Sequence, residues 1–241
     1  MGAARILIQL DPDPRASVFD AMVALDSGLD HLLTHAGITP EQVPALVHGA
    51  MFTRGVNDLR HTAIFIGGSD LTAGEKILAA VCRTFFESFR VSVMLDPNGA
   101  NTTAATAVVA ASQHVPLAAS TVLLLGGTGA IGRRIARMLT KSGAEVWVGS
   151  RSLDRARAVC VELREALGPA GDRLHPRAMA DSRVIAEQAA QVDVVLACGA
   201  AGVSLTSLAE LTSQRPPQLV MDLNAVPPLG IEGVEGADRG V

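Results

Sequence analysis

The sequence predicts an α/β protein of two domains, each built around a parallel sheet. Three observations carry that expectation. Short aliphatic and β-branched runs alternate with helix-period runs along the chain, the signature of strands joined through crossover helices. The strand runs are almost continuously apolar, as strands covered on both faces must be. The chain has 241 residues, 49 % of them hydrophobic, which suffices for two modest cores.

The elements follow in order. "RILIQL" (5–10) is the first strand, and a helical pattern near 17–27 follows it with Ser17 in a cap position. "DHLLTH" (30–35) is a weaker strand candidate, and a helix near 40–48 comes next. "TAIFIGG" (62–68) and "RVSVML" (90–95) are strands, with a helical pattern over 72–88 between them. An Ala-rich helix over 101–113 has Asn101 at its start and stops before Pro116, so "QHVPLAAST" (113–121) marks the best boundary. Residues 1–115 are therefore read as one α/β domain and 116–224 as another.

In the second domain the strands are "TVLLLGG" (121–127), "EVWVGS" (145–150), "DVVLAC" (193–198) and "LVMDLN" (219–224). Helical patterns lie near 131–142, 152–167, 181–190 and 204–212. The Gly- and Pro-rich tail, 225–241, shows no regular period. It reads as a loop returning toward the first domain, or as a frayed end.

Bulk composition excludes several classes. A net charge of −4 gives no basic face for nucleic acid. The longest apolar runs are too short to span a bilayer, and "MGAARILIQLDPDP" lacks the pattern of a signal peptide. No membrane association is expected, and a cytoplasmic location follows by default. Cys82, Cys160 and Cys198 have no metal-ligand spacing and read as reduced core thiols. His31 and His35 suggest no third ligand, so no metal is expected. The chain has no tyrosine and only two lysines, Lys76 and Lys141, which excludes any mechanism built on a Tyr–Lys pair.

"VLLLGGTGAIG" contains Gly127-Thr128-Gly129-Ala130-Ile131-Gly132, a G-x-G-x-x-G between a strand and an amphipathic helix. Gly127 allows a tight turn, Gly129 lets backbone N–H groups approach a pyrophosphate, and Gly132 lets the helix pack close to the sheet. This makes the second domain a Rossmann-type nucleotide-binding domain. The next strand ends in Ser150-Arg151-Ser152, where an acid would accept a ribose 2′-OH and repel a 2′-phosphate. A guanidinium and two hydroxyls meet that phosphate instead, so NADP is the expected cofactor. Arg133 is as readily an assistant to this contact as a solvated helix residue, whereas Arg155 and Arg157 read as surface charges. Gly199 and Asn224, at later strand ends, are further cofactor candidates.

The first domain gathers small polar residues at its strand ends: Asp11 and Asp13, then Ser69 and Asp70, then Asp96, Asn98, Asn101, Thr102 and Thr103. C-termini of parallel strands share one edge, so these converge on one rim. Helix capping accounts for Asp70, Asn101 and Thr102 individually, and Asp20 reads equally as a solvated helix acid. The run 96–103 offers more donors and acceptors than a cap needs, which favours ligand contact.

At this point a resemblance is specific. "SVFDAMVALDSG", "FTRG", "TAIFIGGSDLTAGEK", "FRVSVMLDPNGANTTAA", "GGTGAIGRR" and "DLNAVPPLGIEG", in order over almost the whole chain, resemble the NADP-dependent methylene-tetrahydromethanopterin dehydrogenases of one-carbon metabolism. These are relatives in fold of the methylene-tetrahydrofolate dehydrogenases. The resemblance implies hydride transfer from N5,N10-methylene-tetrahydromethanopterin to NADP+, a pterin in a cleft between the two domains, and a homo-oligomer.

The residues suit that chemistry on their own account. Loss of hydride from a carbon between two nitrogens leaves a resonance-stabilised cation, and no proton need move. Proximity and negative potential then suffice. Asp20 and Asp96 are the two candidates for that potential, with Asn98, Asn101, Thr102 and Thr103 orienting the pterin. The resemblance also implies a further segment after "PPLGIEG" with a Gly-rich, Lys-containing run and a closing helix. This sequence runs to Val241, and neither Lys76 nor Lys141 matches that lysine. Two other readings stand beside the first: the same reaction on tetrahydrofolate, and a module that holds NADP without turnover.

Overall fold

A computed structural model describes residues 3–224, 226–236 and 238. The chain divides into two compact units, residues 1–101 and 102–241. The first contains β1 (Ile6–Leu10), α1 (Val18–Asp26), β2 (His31–His35), α2 (Val43–Phe52), β3 (Thr62–Ile66), α3 (Leu71–Thr84) and β4 (Ser92–Leu95). Its sheet is parallel throughout, in the order β2-β1-β3-β4. Side chains alternate across a strand, so Ile8, Leu10, Ile64 and Ile66 share a face. They pack with Val43, Val47 and Met51 of α2 and Ile77 and Val81 of α3. Asp70 caps α3 by accepting from the Thr72 and Ala73 N–H groups. The edge strand β2 is mostly exposed, which is why its pattern in the sequence is weak.

The division falls at the start of α4 (Ala100–Ser112). Composition places a boundary at Pro116, but packing places it earlier. Ala104, Ala107 and Ala111 recur at helical spacing and are buried in the second unit's core beside Val122 and Leu124. Small side chains there allow a close approach.

The second unit continues with β5 (Thr121–Leu125), α5 (Ala130–Lys141), β6 (Glu145–Ser150), α6 (Leu153–Leu167), β7 (Leu174–Ala178), α7 (Ser182–Ala189), β8 (Val194–Ala197), β9 (Thr206–Ser207), α8 (Leu208–Leu211), β10 (Leu219–Asp222) and β11 (Ile231–Glu232). Its main sheet is parallel in the order β10-β8-β5-β6-β7. One face packs Leu124, Val146 and Val148 against Ile135, Leu139 and Val159, and the other packs Leu123, Leu125 and Val195 against Ile185 and Ala189. That is the two-sided cover expected of a parallel sheet.

Two features differ from the sequence reading. The strand β7, "LHPRA", is not announced by its residues, because Pro176 lacks an N–H and Arg177 is charged. It pairs only with β6, on the sheet's edge, where a proline is tolerated. Over residues 226–234 the tail is not frayed, and it clusters with the second unit. Ile231 is fully buried in a second-unit core, its N–H donates to Asp222 Oδ2 at 2.9 Å, and β11 pairs with β9. The last residues, 239–241, lie outside those described.

Leu124 is 0 % exposed, so Leu124→Ala is expected to cost about 2–5 kcal/mol in urea unfolding. Val161→Ala, at a residue 52 % exposed, should cost under about 0.5 kcal/mol.

Candidate active site

The glycine loop sits where β5 meets α5, at the point where the strand order reverses between β5 and β8. Gly129 is the N-cap of α5 and offers no side chain, so the N–H groups of Ala130, Ile131 and Gly132 start the helix without intrahelical partners. Gly129 N–H itself donates back to Gly126 C=O at 3.1 Å. A Cβ on Gly132 would come within 2.6 Å of Gly127 Cα, which is the close packing of helix on strand that the motif predicts. The left-handed residue of the turn is Gly126, at φ +74°, and not Gly127. A Cβ on Gly126 would meet Gly199 Cα at 2.7 Å. Gly126 was missed by reading only the G-x-G-x-x-G, although the Gly-Gly doublet signals it. The same contact sets Gly199 directly beside the loop, held by Cys198 N–H donating to Leu125 C=O at 2.9 Å. Thr128 is half-buried within the turn.

At the end of β6, Ser150 is almost buried and its Oγ accepts from Ser152 N–H at 3.3 Å. Ser152 caps α6 by accepting from Arg155 N–H at 3.4 Å. Between them Arg151 is exposed, and among the described residues no hydrogen bond or ion pair engages its side chain. Two nearby arginines are occupied: Arg133 pairs with Glu162 and Arg157 with Asp154. Arg133 is thereby turned to α6. Asn224 is also committed. Its Nδ2 donates to Pro228 C=O at 3.1 Å and its Oδ1 accepts from Val226 N–H at 3.1 Å, so it holds the turn after β10.

In the first unit, β1, β3 and β4 end in register, with Leu10 beside Ile66 and Ile66 beside Leu95. Asp11, Gly67 and Asp96 are the next residues along. Gly67 N–H donates to Leu10 C=O at 3.1 Å and Asp96 N–H to Ile66 C=O at 2.9 Å. Asp11 is fully buried; its carboxylate accepts Asp13 N–H at 2.9 Å and Ser17 N–H at 3.0 Å. Asp13 in turn accepts from Ser69 N–H at 2.9 Å and Ser69 Oγ at 3.1 Å. Ser17 caps α1, accepting from Asp20 N–H at 3.1 Å.

This separates the two candidate acids. Asp96 is buried and accepts Asn101 N–H at 2.7 Å, while Asn101 Nδ2 donates to Leu95 C=O. Asp96 and Asn101 thus lock the start of α4 onto the end of β4. Asp20 is half-buried, and a Cβ on Gly67 would lie 3.0 Å from its Oδ2. Burial raises its proton affinity first; the Ser17 hydroxyl opposes this, while Asp11 and Asp96 add to it.

Asn98 is exposed with φ 54°, a left-handed conformation that asparagine tolerates better than most side chains. Its N–H donates to Gly68 C=O at 2.7 Å, which fixes the turn and leaves the side chain outward. Thr102 is exposed and Thr103 half-buried on the first turn of α4.

Cys160 and Cys198 are buried, but Cys82 is exposed on α3, which corrects its reading as a core thiol. The Cys198 thiol is pushed up to about 12 by burial and by Asp222, so it stays protonated. Among the described residues no group of three or more His, Cys, Asp or Glu side chains could hold a metal ion. No helix of the described residues is long and apolar enough to cross a membrane.

Residues 18–98 match the family described as methylene-tetrahydromethanopterin dehydrogenase, N-terminal, and residues 120–231 match short chain dehydrogenase. The second match reflects the nucleotide-binding sheet, since a chain with no tyrosine has no Tyr–Lys pair. The bifunctional protein MdtA of Methylorubrum extorquens is 38 % identical over 238 residues, covering 98 % of this chain and 82 % of that protein. The NAD(P)-dependent methylenetetrahydromethanopterin dehydrogenase of the same organism is 29 % identical, over 97 % of this chain and 80 % of that one. Among solved structures, aspartate transcarbamoylase from Trypanosoma cruzi shares 14 % identity at a TM-score of 0.58, over 98 % of this chain and 76 % of that one, a likeness of fold alone. Identity of 38 % along nearly the whole chain, with the match over residues 18–98, means that the chain belongs to the methylene-tetrahydromethanopterin dehydrogenase family.

Proposed function

We propose that this chain is an oxidoreductase that transfers a hydride from the methylene carbon of N5,N10-methylene-tetrahydromethanopterin to NADP+, leaving the methenyl cation. The observation that carries the reading is Asp20. Its carboxylate has no ion-pair partner among the described residues and lies at the edge of a parallel sheet beside two other acids. Such a site suits a reaction that creates a cation and moves no proton, since negative potential at the reacting carbon lowers the barrier directly. Asn98 is the best-presented group for the pterin amide and amine, with Thr102 and Thr103 nearby in sequence.

On the nucleotide side the residues fit NADP. The free N–H groups of α5 suit a pyrophosphate. Arg151, flanked by Ser150 and Ser152, suits the 2′-phosphate, while bound NADP+ supplies the hydride acceptor. What remains for the protein is to hold the two reacting carbons about 3–3.5 Å apart. The reading includes a cytoplasmic location and a homo-oligomer. The second is supported by α1, which buries none of its residues and exposes Val18, Phe19, Met22 and Val23, an apolar stripe of the kind that marks association surfaces.

Mixing protein, NADP+ and methylene-tetrahydromethanopterin should raise absorbance at 340 nm; no rise at saturating substrate rejects the reading. Arg151→Ala is expected to raise KM for NADP+ ten-fold or more, about 1.4 kcal/mol, and to leave NAD+ kinetics nearly unchanged. Equal effects on both cofactors would make Arg151 structural.

Asp20→Asn should abolish most turnover yet raise Tm at pH 7. The folded protein holds the Asp20 proton more tightly than the unfolded chain, whose value is near 3.8. The charged form therefore costs stability at pH values above the folded midpoint, and that cost disappears as pH falls below the unfolded one. The Tm gain should shrink toward zero in acid; a gain independent of pH would refute the electrostatic account.

A further inference from the structure

Asp11 is a fully buried acid with no ion-pair partner among the described residues, and the chemistry proposed for Asp20 does not use it directly. Its bonds lead toward that chemistry all the same. One carboxylate oxygen accepts Ser17 N–H, and the Ser17 side chain accepts Asp20 N–H, so the first turn of α1 hangs from Asp11. The other oxygen accepts Asp13 N–H, and Asp13 binds Ser69 after β3. Gly67 marks where the two acids meet. A Cβ there would stand 3.0 Å from Asp20 Oδ2 and 3.8 Å from Asp11 Oδ2.

We propose that Asp11 is a positioning residue for Asp20: it fixes the start of α1 and adds its own charge beneath the Asp20 carboxylate, in a space kept open by Gly67. This rests on the reading of Asp20 as the group that faces the substrate. The charge and the geometry act together. A cation in place of Asp11 would lose the acceptor for the Ser17 and Asp13 N–H groups and reverse the charge beside Asp20. A neutral side chain would preserve part of the loop and lose the field. The charged and polar groups facing Asp20 are Asp11 from the end of β1, Asp96 from the end of β4, and Ser17 from its own helix cap.

The test separates this role from simple loop support. Asp20 is titrated in the full chain by 13C NMR of carboxyl-labelled aspartates, with Asp20→Asn giving the assignment. In Asp11→Asn its midpoint should move down by at least about 0.5 pH unit, as removal of a nearby like charge requires. In turnover, the acid limb of the kcat/KM profile for the pterin should shift the same way, with KM for NADP+ changed less than about two-fold. A fall in Tm with no movement of either midpoint overturns the proposal.

Gly67→Ala tests the geometry without touching either charge and guards against misfolding of the first variant. Crowding of Asp20 should raise the pterin KM about five-fold or more and leave the NADP+ KM alone; an unchanged pterin KM counts against the proposal. Absence of NADPH formation by the wild-type chain would overturn the functional reading instead, and the NMR titration still decides the role of Asp11.

Discussion

Both main sheets are parallel throughout, and this constraint governs where chemistry can be placed. Parallel strands deliver all their C-termini to one edge, and each connection must leave that edge across a face of the sheet. Where neighbouring strands send their helices to opposite faces, the edge opens and backbone groups are exposed to a ligand. The pairs β1–β3 and β5–β8 are those openings. Each is lined by residues that a packed core would reject: a buried acid and Gly67 in one, Gly126 and Gly199 in the other.

The glycines do different work in the two units. In the second, missing side chains let backbone approach backbone, as Gly132 does on Gly127 and Gly126 on Gly199. The consequence is a helix start close enough to the sheet for its N–H groups to face a phosphate. In the first, the missing side chain of Gly67 makes room for the Asp20 carboxylate and the Phe65 ring rather than for backbone. One opening collects partial positive charge and the other full negative charge.

Most of the architecture was legible because it is written locally. Apolar runs of strand length, cap residues such as Ser17 and Asp70, and the glycine motif each declare themselves within a few residues. What escaped depends on distant partners. Pro176 and Arg177 hide a strand that exists because β6 offers it an edge. Ile231 looks like part of a loop until Asp222 receives its N–H. Asn101 and Asp96 resemble ligand groups by type, and each also satisfies a backbone group exposed by the turn between β4 and α4. Composition does not announce such a lock; hydrogen-bond partners do.

Charge pairing makes the final distinction. In the second unit Glu145, Asp154, Glu162, Glu187 and Asp193 each have an arginine partner. Most of these pairs are exposed and contribute little to stability; Arg151, at the end of β6, has no such partner among the described residues. The first unit treats Asp11 differently: its buried carboxylate is satisfied by backbone N–H groups and not by a cation. Those hydrogen bonds meet its solvation demand without placing a cation beside Asp20. A guanidinium in their place would have offset the negative potential felt by Asp20. The raised proton affinity of Asp20, set first by burial and increased by Asp11 and Asp96, is tolerable because a reaction without proton transfer needs only that Asp20 be ionised near neutral pH.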